Sequence, residues 1–178
     1  MTFPKWVRRS ESAAVVGAHA QPLQITALGG SPAGTIEAQV VRFADLAALE
    51  AAPDGSLAGK IAFVDYQMPA ARDGNGYGKG SAVRSKGPSA AIRKGASGFL
   101  MRSAGTDNHR VAHTGITRFD EGLTPVPSAS LPIPDADQLA RLTRIPGGLW
   151  VALFAIVTGG GAALGVLLLV GRAGLAPL

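Results

Sequence analysis

The chain has 178 residues, of which 47% are hydrophobic and only 16% charged, so it carries enough apolar material for a packed core and wholesale disorder is excluded. Seventeen Lys and Arg against twelve Asp and Glu give a formal net charge of +5, yet no basic run exceeds Arg8-Arg9, so a nucleic-acid partner is not indicated. The lack of cysteine excludes a disulfide framework, a thiolate metal site and a cysteine nucleophile.

The opening MTFPKWVRRSES has basic residues with no apolar stretch behind them, so it does not read as a signal peptide. Apolar or β-branched runs at 13–16, 23–27 and 36–43, bounded by Gly, Pro and Ser, predict strands. Asp45 can cap a short helix over 45–52 that stops at Pro53, and Pro53-Asp54-Gly55 then makes a turn. IAFVD at 61–65 predicts a buried strand. Residues 81–94 predict a helix closed by Gly95, with Pro88 marking either a kink or the helix's first turn. Further strands are expected at 98–102 and 126–131, and a last short helix with an acidic start at 135–142. Alternation of this kind predicts an α+β domain, a small β-sheet or barrel with flanking short helices.

Charge divides the chain in two. All twelve acidic residues and every basic residue except Arg172 precede Ile145. Residues 1–144 therefore form the polar-surfaced domain and 145–178 an apolar tail. Within the tail, residues 149–170 would span about 33 Å as a helix, the thickness of a bilayer core. They are a candidate transmembrane helix, and a frameshifted continuation is the other reading. Arg141 and Arg144 before the segment, against Arg172 alone after it, would leave the domain on the cytoplasmic side.

Few residues invite a catalytic reading. GNGYGKG at 74–80 has glycines at every second position and no Ser or Thr after Lys79, so a flexible surface loop accounts for it better than a phosphate cradle. Asp107, His109 and His113 are weak metal candidates, because two histidines four apart would share a helix face. The surrounding Gly105, Thr106, Asn108 and Gly115 favour a polar loop instead. No G-x-S-x-G frames a serine, and no catalytic residues are assigned.

Five phrases carry a resemblance: TFPKWVRRSESAAVVG, ITALGGSPAGTIEAQVV, LAGKIAFVD, GPSAAIRKGASGFLMRSAGTDNHRVAHTG and VPSASLPIPDADQLARL. Together they resemble the protease-associated (PA) domain of bacterial dizinc aminopeptidases. These belong to metallopeptidase family twenty-eight, relatives of the transferrin-receptor and glutamate-carboxypeptidase proteins. The resemblance covers residues 2–142, and RSAGTDNHRVAHTG at 102–115 is its most specific part.

The resemblance implies a PA fold and a non-catalytic accessory or binding role beside a catalytic domain. In such enzymes that domain supplies five metal ligands, including an His-x-Asp element and a Glu-Glu pair, and two zinc ions activate a bridging water. Here His19, His109 and His113 are followed two residues later by Gln21, Val111 and Gly115, and no Glu-Glu occurs. The chain is thus expected to be a PA domain without its catalytic domain, binding no cofactor and not an enzyme. A loop formed by Arg102, Asp107, His109, Arg110 and His113 is expected to contact a peptide or a catalytic domain. The parent family is secreted or periplasmic, whereas the tail would place this chain at a membrane. The alternatives are a membrane-anchored interaction module, or a small metal-dependent hydrolase using Asp107, His109 and His113.

Overall fold

A computed structural model describes residues 5–106 and 111–143. The apolar tail, including the candidate span at 149–170, lies outside the described residues. Among those described, no helix is long and apolar enough to cross a membrane.

The chain opens with a small antiparallel hairpin, β1 (Ala13–Val15) on β2 (Gln21–Leu23). A five-stranded sheet follows, built from β3 (Thr26–Ala27), β4 (Val40–Phe43), β5 (Ile61–Val64), β6 (Gly98–Arg102) and β7 (Ser128–Leu131). Its order in space is β3-β7-β6-β5-β4. The last four strands in sequence are mutually parallel, and β3 runs antiparallel to β7.

Two helices account for two of the three parallel pairings, and no helix separates β6 from β7 among the described residues. α1 (Leu46–Glu50) connects β4 to β5, and α2 (Tyr77–Arg93) connects β5 to β6, each returning the chain to start the next strand in the same direction. The domain is mixed, as expected, but the sheet is open, with β3 and β4 at its edges, and does not close into a barrel. Its helices alternate with the strands instead of being segregated from them.

Strand periodicity sorts the core into two layers. Ala62, Val64, Phe99 and Met101 face α1 and α2, packing with Leu49, Val83, Ala90 and Ala91. Phe63, Leu131 and Leu100 face the other way, toward α3 (Ile133–Thr143) and the hairpin, and pack with Leu139, Ala136 and Leu23. The domain is therefore three layers, with the sheet in the middle.

Local signals place several boundaries. Asp45 caps α1, its carboxylate accepting the Ala48 N–H at 2.8 Å. Gly95 ends α2 in the left-handed region, at φ +89°. There the Ala96 N–H donates to the Ala91 carbonyl and the Gly95 N–H to that of Ile92, a Schellman closure. Other boundaries differ from expectation. α2 begins at Tyr77, so half of the expected 74–80 loop is its first turn, and Pro88 lies inside the helix. The run at 36–43 pairs only over Val40–Phe43, where β5 is available. The run at 23–27 divides between two sheets.

Gly87 and Pro88 are both buried on the inner face of α2. A methyl group on Gly87 would collide with the Phe99 ring. The bare backbone there lets helix and sheet approach closely, offsetting the low helix propensity of the pair.

Candidate functional site

Two groups of polar side chains converge near the C-terminal ends of the parallel strands. The first lies between the sheet and α3. Asp65, which follows β5 and is fully buried, receives Arg42 from β4 and Arg102 from β6. The Arg42 Nε donates to Asp65 Oδ2 at 2.6 Å, and the Arg102 Nε to Oδ1 at 2.6 Å. Each guanidinium adds a second nitrogen to the same oxygen. The Arg102 Nη2 also reaches Asp137 Oδ1 on α3 at 2.7 Å. Strand periodicity dictates the grouping, since Arg42, Asp65 and Arg102 share the face that bears Phe63 and Leu100. Two arginines and two carboxylates neutralise one another, and charges removed from water persist only in such company.

The second group is on the opposite, α2 side of the sheet. Beyond β6 the chain runs past Ser103, whose buried hydroxyl accepts the His113 N–H at 2.8 Å and lies 2.9 Å from the Ser130 hydroxyl. Residues 115–117 then pass beside 28–30, with the Gly29 N–H on the Gly115 carbonyl and the Thr117 N–H on that of Gly29. Asp120 is tied to α2 by an ion pair with Arg93, and its N–H donates to Ser89 Oγ. These bonds hold His113 at the surface, with Nε2 3.1 Å from the Tyr77 hydroxyl and 3.4 Å from Arg84 Nη1. The Tyr77 and His113 rings meet edge to face.

The residues singled out from the sequence fare unequally. Arg102 is only 4% exposed and is committed to Asp65 and Asp137, so it belongs to the interior and not to a contact loop. Asp107, His109 and Arg110 lie outside the described residues. His113 is exposed, and its neighbours Val111 and Ile116 are among the most exposed large apolar side chains, at 79% and 65%. Among the described residues, no three His, Asp or Glu side chains converge to hold a metal. The surroundings of His113 do not suit one either, because a cation on Nε2 would meet the Arg84 guanidinium. Tyr77 and Arg84 were not foreseen. Seven residues apart, they share a face of α2, a relation visible only once the helix starts at Tyr77.

No family model matches the chain. It is 46% identical to a segment of a Peptidase M28 precursor from Shewanella amazonensis SB2B of known crystal structure, with a TM-score of 0.71. That match covers 74% of this chain and 30% of the peptidase. Mouse carboxypeptidase Q is 30% identical over 143 residues, and human carboxypeptidase Q 28% over the same length. Each of these covers 79% of this chain and 29% of the relative. The chain is thus similar, in sequence and in fold, to one segment of M28 peptidases, and spans less than a third of the length of the proteins it matches.

Proposed function

We propose that residues 5–143 form a non-catalytic accessory domain of the protease-associated kind, which works beside the catalytic domain of a zinc-dependent peptidase. The observation that carries this reading is the match, at 46% identity and a TM-score of 0.71, to a stretch amounting to 30% of a Peptidase M28 precursor. The chemistry of the domain is consistent with it. Asp65, the carboxylate at the end of β5, is committed to two guanidiniums and is poorly placed to serve as a base. Within the parallel part of the sheet the strand order runs 4-5-6-7 without reversal, so it lacks the switch point at which α/β sheets form a ligand crevice. The contact face is assigned to residues 111–117, where Val111 and Ile116 offer apolar surface to a partner domain. The two zinc ions of the parent reaction would be held by that partner.

The test is direct. The full chain is incubated with aminoacyl nitroanilides, with and without added zinc. The expected result is no release of nitroaniline above the buffer blank. Turnover that depends on zinc and disappears on chelation overturns the proposal.

A further inference from the structure

We propose that Tyr77, Arg84 and His113 form a binding site for a compact oxyanion, a carboxylate or a phosphate. The inference starts from an imbalance of hydrogen-bonding groups. The Tyr77 hydroxyl and Arg84 Nη1 both approach the same nitrogen, His113 Nε2. A neutral imidazole nitrogen with a free lone pair can accept from only one of them, and a protonated one donates to the Tyr77 oxygen and leaves Arg84 without an acceptor there. Arg84 finds one further acceptor, the Ser81 hydroxyl, at 3.1 Å from Nη2. Its Nε is shielded from solvent and has no acceptor. Among the described residues no carboxylate pairs with Arg84, as is also the case for Arg9, Arg72, Arg118 and Arg141, whereas Arg8, Arg42 and Arg93 each pair with one and Arg102 with two. Donors outnumber the protein's own acceptors, which leaves a positively charged, solvent-reachable edge that an oxyanion can fill in place of water.

The cationic group is also held in place. The Arg84 guanidinium lies against the bare Cα of Gly115, where an added Cβ would come within 2.9 Å of both Cζ and Nε. From the other side His113 is fixed through its N–H on Ser103 Oγ. A guanidinium positioned in advance loses less freedom on binding, and its planar fork matches an oxyanion. Tyr77 and His113 remain exposed, so an anion can reach the group from solvent. This site goes beyond the accessory role and does not depend on it.

The experiment follows the His113 ring in the full, isotopically labelled chain by nuclear magnetic resonance, with His113→Gln used to assign the signal. Three probes are titrated: N-acetyl-dialanine as the free acid, the same peptide as its amide, and inorganic phosphate. The expected result is a saturable shift with the acid, with phosphate or with both, and none with the amide. A response to the acid alone assigns the ligand to carboxylates, and one to phosphate alone assigns it to phosphates. Arg84→Gln should weaken the response at least tenfold. Gly115→Ala should weaken it several-fold by displacing the guanidinium while the sheet stays intact, as judged from the unchanged methyl signals of the core. No saturable shift with either anion, an equal response to the amide, or an undiminished response in Arg84→Gln overturns the proposal.

Discussion

Arg102 and Arg84 lie on opposite sides of the same sheet and are treated in opposite ways. Arg102 leaves the end of β6 into the layer beneath α3, is almost wholly buried, and meets carboxylates from β5 and α3. Arg84 leaves α2 at the surface and meets a hydroxyl, an imidazole and a glycine backbone, none of which carries negative charge to balance it. The difference separates a charge the fold uses from a charge the fold leaves available. A guanidinium taken out of water must be compensated within the protein, so the buried node is complete in itself. One at the surface has no such requirement, and its orientation without compensation is what marks a binding group.

Breaking the buried node should give the largest effect. Asp65→Ala removes the carboxylate that both Arg42 and Arg102 require, leaving Arg102 inside without its principal partner. Breaking a buried ion pair from one side costs about 3–5 kcal/mol, much of it the penalty of the stranded charge. Urea denaturation of the full chain should show a midpoint lowered accordingly. A loss below about 1 kcal/mol would mean that water reaches the node and that its arginines are not truly buried.

Arg84→Gln sharpens the contrast from the other side. Because Arg84 is half-exposed and has no ion pair among the described residues, its replacement should change stability by no more than about 0.5 kcal/mol. The same denaturation measurement checks it. A loss as large as that of Asp65→Ala would make Arg84 a structural residue and remove the distinction between the two sides of the sheet.

The same contrast explains what could be read in the sequence. Asp45 as a cap and Gly95 as a helix stop were legible because each acts on its own few residues of backbone. The strand at Ile61–Val64 was legible because a short β-branched run flanked by glycine has few other uses. The start of α2 was not, since Gly76, Gly78 and Gly80 all argue against a helix on local grounds. What overrides them is tertiary: Gly80 lies where a Cβ would come within 3.0 Å of that of Ala104, and Gly87 where one would meet Phe99. Both site groups were hidden for the same reason. Arg42, Asp65 and Arg102 each read singly as a polar residue at a strand end, and only the parallel register brings them to one point. Arg102 belongs to the phrase RSAGTDNHRVAHTG that suggests a contact loop, whereas strand alternation turns it inward.

A compensated pair at the surface completes the series, and should have the smallest effect. Lys94, the residue that closes α2, donates to Asp54 Oδ1 at 2.8 Å across the turn before β5, and the Asp54 side chain is 87% exposed. The hydrogen bond and the charge of Lys94 hold the Asp54 carboxyl below its ordinary value of 3.8. A carboxyl whose folded pKa is depressed contributes stability that is present above the unfolded pKa and is lost as pH falls through the folded one. Asp54→Asn keeps the turn preference and removes the charge, so it isolates that contribution. The stability difference between the parent chain and Asp54→Asn should be small and constant above pH 3.8, then shrink toward zero on further acidification. It should also diminish in high salt, because an exposed pair is screened by solvent and ions. Stability measured across that pH range, at low and high salt, checks both features. A gap that widened on acidification, or that ignored salt, would show that Asp54 acts through the turn backbone and not through Lys94.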